Sequence, residues 1–389
     1  MTLASVPSEC GDEDRVSNPA SAPLSRQHQA SAPTDLALLN GVRGLAAIAI
    51  LFWHYQHFYF PVGLMAPVPG FTAHLPGYAV LWPLYDFGNY AVQAFWMLSG
   101  VVFAHVYLSA RSSGRDFAIN RFARLYPLHL LTFVVVGLLQ GAVLSRFGAT
   151  FIYGPGDGWT ALQHLGMASG WGFPRGRESF NGPIWSVSAE VVVYALFWFA
   201  RPLLRRRPVA APVLVAAMAM ALCAVGLENE IVRCLYHFML GVALYTLSGA
   251  LRTGQGVAAA AFGAAVASAA VAAANPSVAI IAGGGAVMLT CLLLERRVGR
   301  PLTRVCDWLG DNTYGLYLWH VPVQLSLLLL FPARHALPAL ASRPAFLVAF
   351  LVGMMLLARL SFLLIERPAR ILIRRRLAGQ HSAVAVPAA

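Results

Sequence analysis

The sequence predicts an all-α, polytopic membrane protein with about ten transmembrane helices, and three observations carry that prediction. Of 389 residues, 58% are hydrophobic and 11% charged, where a soluble domain carries about 25% charged residues. Mean hydropathy is +0.64. The apolar excess is gathered into runs of roughly 20 residues, the length needed to cross a bilayer.

Taken in order, residues 1–36 are rich in Ser, Pro, Ala and Gln and contain no apolar core, so they read as a disordered cytoplasmic tail and not as a secretory signal. Apolar runs follow at about 38–60, 78–108, 124–145, 183–204, 209–228, 231–250, 256–274, 277–295, 312–332 and 345–366. Residues 37–370 form the membrane domain, and 371–389 a basic and then disordered cytoplasmic tail. The Ala- and Gly-rich fifth to eighth runs suit close helix packing in lipid. No internal repeat of the kind that builds many transporters is visible.

All 28 basic residues are arginine, and the net charge is +12. A nucleic-acid partner is not implied, because the arginines sit in short loops between apolar runs, where topology signals belong. The N-terminal tail, the loops after the even-numbered runs and the C-terminal tail hold 20 arginines, and the opposite loops hold six. This bias predicts that both termini are cytoplasmic, in the inner membrane. The five cysteines show no CxxC or metal-ligand pattern, so neither a disulfide framework nor a metal site is expected. The long outer loop 146–182 is rich in Gly and aromatic residues, which either seat at the interface or stack on a sugar.

Ionisable residues inside apolar helices are costly and mark function. In LLNGVRGLAAIAILFWHYQHFY, His54 follows Arg43 by eleven residues. That is about three turns, so both side chains share a face and stand ~16 Å apart along the axis. Asp86 lies in the second run, and Arg121 and Arg124 precede the third. Ser186, Glu190 and Tyr194 form one stripe on the fourth run at four-residue spacing. His320 lies in the ninth run, and Glu366 ends the tenth.

Depth counted along each run puts His54 and Glu190 about 9–11 Å below the outer surface and Arg43 about 8 Å from the cytoplasmic side. This layering predicts a His54/Glu190 pair above an arginine-rich mouth formed with Arg121, Arg124 and Glu366. Arginines suit the phosphates of an anionic donor. A histidine suits proton abstraction from a hydroxyl, and a neighbouring carboxylate would set its tautomer. The chemistry that fits is acyl transfer from a coenzyme A thioester to an alcohol. Alternatively, the same buried ionisable residues suit a transporter or flippase of a polar lipid-linked sugar.

Six motifs in order resemble the acyltransferase-3 family of integral-membrane O-acyltransferases. They are Arg43 with His54, GNYAVQAFWMLSG, NRFARLYPLH, IWSVSAEVVVY, LGDNTYGLYLWHVPV and IERPAR. Asn40 stands where the family pattern has an acidic residue. The resemblance, spanning residues 38 to about 370, implies transfer of an acetyl or other short acyl group from cytoplasmic acyl-CoA, a co-substrate and not a bound cofactor. The acceptor it implies is a carbohydrate or glycoconjugate, such as an exopolysaccharide or O-antigen. It implies His54 as base, Arg43, Arg121 and Arg124 as donor-binding residues, and Glu190 and His320 as site residues. The chain reads as the stand-alone form of the family, without a further hydrolase-like domain.

Overall fold

The computed structural model describes residues 36–110, 112–331 and 336–377. The tails expected at 1–35 and 378–389 lie outside the described residues. The described chain is a bundle of α1 (Ala37–His54), α2 (Tyr78–Phe87), α3 (Ala91–Phe103), α4 (Gly114–Phe147), α5 (Gly158–Leu165), α6 (Trp185–Arg206) and α7 (Ala210–Ala224). It continues with α8 (Glu230–Ala250), α9 (Thr253–Ala272), α10 (Pro276–Leu294), α11 (Arg300–Leu330), α12 (Ala336–Ala341), α13 (Pro344–Ser361) and α14 (Arg367–Leu377).

Among the described residues, eight helical segments are long and apolar enough to cross a membrane. Two of the ten predicted runs differ from these. The helix α7 has 15 residues, a rise of ~22 Å against a hydrocarbon core of ~30 Å. At 31 residues α11 is ample in length. Its apolar character is diluted by Asn312, Tyr314, Tyr317, His320 and Gln324, all buried in the bundle. The polar groups that weaken its sequence signal are therefore the ones turned inward. Large side chains such as Phe199, 80% exposed, lie on the outside, as expected of a surface that meets lipid chains.

Several elements depart from the predicted runs. The second is interrupted at Gly88–Tyr90, which separates α2 from α3. The third starts ten residues early, at Gly114, because Ser113 caps the helix by accepting from the Asp116 N–H at 3.0 Å. Arg121 and Arg124 therefore stand on α4 itself, one turn apart, and not in a loop before it.

Two contacts seat α1 against α11. Asn40 Nδ2 donates to Asp307 Oδ1 at 3.0 Å, a bond that an ionised acid at position 40 could not donate. A Cβ on Gly44 would lie 2.5 Å from the Leu309 Cβ, and one on Gly310 2.7 Å from the Asn40 Cβ. Only glycine at these positions lets the two backbones approach so closely. The helices that carry Arg43, His54, His320 and Gln324 are thereby held in register.

The loop between α4 and α6 is ordered by its own polar groups. Asp157 and Thr160 form a reciprocal capping box that starts α5. Gln140 of α4 clamps the Phe151 backbone, donating to its carbonyl at 2.7 Å and accepting from its N–H at 3.2 Å. Asn181 Nδ2 donates to the Leu318 carbonyl of α11 at 3.1 Å. Ile152, Met167, Arg175 and Phe180 hold positive φ angles of 68°, 51°, 62° and 48°. These are strained conformations that the surrounding contacts must enforce.

Candidate active site

His54 ends α1 where the chain tightens into the 3₁₀ segment Tyr55–Tyr59. Its Nδ1 lies 3.0 Å from the Ile50 carbonyl. A carbonyl only accepts, so Nδ1 carries the proton and the lone pair is left on Nε2. The imidazole is half-buried. Its ring neighbours are His320, with centroids 4.5 Å apart, and His57, at 4.9 Å.

Gln324, one turn beyond His320 on α11, organises this cluster. Its Nε2 donates to the His54 carbonyl at 2.8 Å, and its Oε1 faces His57 Nδ1 at 2.9 Å. The first bond sets the amide orientation, so His57 Nδ1 must donate to Oε1 and its lone pair also falls on Nε2. His320 is fully buried, and neither of its ring nitrogens completes a hydrogen bond within the protein. Two imidazole edges with unspent hydrogen-bonding capacity thus stand beside the His54 ring. Among the described residues, no group of three or more His, Cys, Asp or Glu is placed to hold a metal ion.

Arg43, three turns toward the other end of α1, lines a partly open cavity with Arg124, Ser186, Glu190, Tyr194 and Tyr317. A smaller adjoining cavity shares Arg43, Arg124 and Tyr194 and adds Arg121. The Arg121 guanidinium sits over the Phe103 ring at 4.9 Å, and its Nη2 donates to the Tyr107 hydroxyl at 3.2 Å. Stacking and hydrogen bonding together hold a partly desolvated cation in place. Tyr317 donates to the Pro183 carbonyl and receives the Ser186 hydroxyl at 2.6 Å. The stripe on α6 is thus pinned to α11.

The expected pairing of His54 with Glu190 is corrected by this geometry. Glu190 is buried with the Ser99 and Tyr194 hydroxyls as hydrogen-bond partners, and Arg43 and Arg121 lie within electrostatic reach. One of its carboxylate oxygens, Oε1, has no hydrogen-bond partner. The Ile50 carbonyl, not a carboxylate, orients His54. Glu190 therefore belongs to the arginine layer. Counting residues along an axis ignores helix tilt and rotation, and those are set by packing.

The other expected site residues divide. Asp86 accepts from the Tyr78 hydroxyl at 2.7 Å and lines neither cavity. Glu366 is buried, accepts from Ser361 at 3.3 Å and lies within electrostatic reach of Arg124 and Arg370. His57 and Gln324 were not expected at the site. The four-residue spacing of His320 and Gln324 on one face of α11 was the signal for the latter.

On the loop side, His129 Nε2 donates to the His164 carbonyl at 2.7 Å, and His164 Nε2 donates to the Gly176 carbonyl at 3.0 Å. Burial pushes the His164 imidazole down to about 4, whereas an unfolded histidine titrates near 6.5. Between those values the unfolded loop binds more protons than the folded one. Its stability therefore falls as pH drops through that window, by about 1.4 kcal/mol per unit. Hydrogen exchange at the α5 amides, corrected for intrinsic rates, should accelerate between pH 6.5 and 5. The slope should flatten in His164→Gln, and a wild-type slope retained by that variant would refute the assignment.

A family model described as an acyltransferase domain matches residues 36–363. Acyltransferase MdmB of Streptomyces mycarofaciens is 34% identical over 179 residues, which cover 45% of this chain and 41% of the relative. The match thus spans about two fifths of that relative's length. No solved structure gives a significant match.

Proposed function

This chain belongs to the acyltransferase-3 family and is a multi-pass membrane acyltransferase, and from that premise we propose that it transfers an acetyl or other short acyl group from cytoplasmic acyl-CoA to a sugar hydroxyl, with His54 as general base. The observation that carries the proposal is the division of α1. Arg43 opens onto an arginine-lined cavity at one depth. Three turns away, His54 holds its lone pair on Nε2 through the Ile50 carbonyl.

In this reading the donor's phosphates engage Arg43, Arg121 and Arg124 from the cytoplasm, and the thioester extends toward His54. His54 Nε2 takes the proton of the acceptor hydroxyl as its oxygen attacks the thioester carbonyl. The tetrahedral intermediate collapses with loss of the coenzyme A thiolate, which recovers the proton from the imidazolium. The products are an ester and the free thiol. Glu190 balances the charge of Arg43 and Arg121, and His320 and Gln324 hold the His54 segment.

The arginine bias supports an inner-membrane orientation with both termini cytoplasmic. Trp159, Trp171 and Phe173 stand exposed on the outer loop, which supports a carbohydrate acceptor that stacks on aromatic faces. The test is to supply acetyl-CoA carrying a radiolabelled acetyl group to inside-out vesicles containing the full chain. Label recovered in a covalently modified glycan is the expected result. Translocation of a lipid-linked sugar with no label deposited would instead support a transporter and overturn the proposal.

A further inference from the structure

The arginine layer extends beyond the residues assigned to the donor. Glu366, Arg370 and Arg374 follow one another at four-residue spacing and form a stripe leading onto α14. Arg370 lies within electrostatic reach of Arg124, Arg374, Glu366 and Arg121, and Arg374 within reach of Arg121, Tyr107 and Arg124.

Arg124 and Arg370 share two carboxylates, Glu366 and Asp311, of which Asp311 already pairs with Arg359 at 3.6 Å, and Arg121 shares Glu190 with Arg43. The N–H groups are correspondingly unspent. Arg121 Nε, Arg370 Nε and Nη2, and Arg374 Nε are all buried without a hydrogen-bond partner. Buried polar groups are nearly always satisfied, and several clustered cations with idle donors favour an anion at this position. Guanidinium forks match phosphate oxygens in particular.

Resting on the acyl-CoA reading above, we infer that Arg370 and Arg374 of α14, with Arg121 of α4, form a phosphate clamp for the nucleotide end of the donor. Arg121 and Arg124 belong both to this cluster and to the cavity linings, where Arg43 joins them. From Arg43 to His54 the distance along α1 is ~16 Å, a span suited to an extended pantetheine arm. With its phosphates held at α14, the thioester is carried to the imidazole. An anionic lipid headgroup offers the same phosphate chemistry, and the experiment separates the two sources.

Equilibrium binding of CoA, 3′-dephospho-CoA and 4′-phosphopantetheine is measured on the full-length protein in detergent, for wild type, Arg370→Gln and the double variant Arg370→Gln/Arg374→Gln. In wild type, affinity should fall stepwise as phosphates are removed. The double variant should bind CoA ~10- to 100-fold more weakly, the equivalent of one lost charge-assisted contact or more, and bind 4′-phosphopantetheine as wild type does. Arg370→Gln alone should show a smaller loss of the same pattern, which keeps the test open should the double variant fail to fold. Unchanged CoA binding, or equal losses for all three ligands, overturns the clamp in favour of a lipid-binding or structural role. Wild-type protein that binds no CoA at all overturns the donor reading as well, so the two failures are distinct.

Discussion

Replacing His54 with Gln should reduce acyl transfer by ~10²- to 10⁴-fold, the usual contribution of a positioned general base, while the protein still inserts and folds. Glutamine approximates the reach of histidine and can hydrogen-bond a hydroxyl, but it cannot accept its proton. The structure gives a specific reason to expect catalytic rather than structural loss. His54 is half-buried at the end of α1, and its one side-chain hydrogen bond is local, to Ile50. The contacts that hold this segment run through its backbone carbonyl to Gln324 and through Tyr55 to the Ala341 carbonyl at 2.8 Å. Neither requires the imidazole. Label transfer from acetyl-CoA in vesicles, with size-exclusion behaviour as the folding control, checks the expectation. A His54→Gln protein of normal fold and normal transfer rate would remove the base assignment.

Arg43→Gln should act on a different parameter. Loss of one charged hydrogen-bonding partner costs about 1.5–3 kcal/mol, or ~10- to 100-fold in donor affinity, which appears as a raised KM for acetyl-CoA. A second effect follows from Glu190, whose buried carboxylate would lose a principal countercharge. Breaking a buried ion pair from one side costs more than removing both partners. The thermal midpoint should therefore fall in Arg43→Gln and recover in Arg43→Gln/Glu190→Gln, while the donor KM stays high. Between His54 and Glu190, by contrast, substitutions should combine additively, because their hydrogen-bond networks are separate. Strong coupling between these two would restore the direct pairing that the geometry replaces.

What could be read in advance was whatever obeys helical periodicity. The shared face of Arg43 and His54 follows from 3.6 residues per turn, and so does the α6 stripe of Ser186, Glu190 and Tyr194. Hydropathy located the spans, because lipid-facing positions must be apolar. It was weakest at α11, where the residues that build the site dilute the signal. Partnerships between helices were not legible. The neighbours of Glu190 depend on how α6 is rotated against α3 and α1, and a few residues of uncertainty in each end already amount to several ångströms of depth. The arginines of α14 read as topology signals since charge alone does not reveal which N–H groups fold into the interior. Asn40 looked like a departure from the family pattern, and its bond to Asp307 became visible only once α1 and α11 were side by side.

In the proposed function, α1 spans the distance between a donor anchor, Arg43, and a general base, His54. That role of α1 is tested most directly by determining kcat and KM for acetyl-CoA side by side in wild type, His54→Gln and Arg43→Gln. The two parameters should split: kcat should collapse with little change in KM for His54→Gln, and KM should rise with kcat largely retained for Arg43→Gln. Both substitutions lowering the same parameter to the same degree, or His54→Gln keeping the wild-type kcat, would contradict that role.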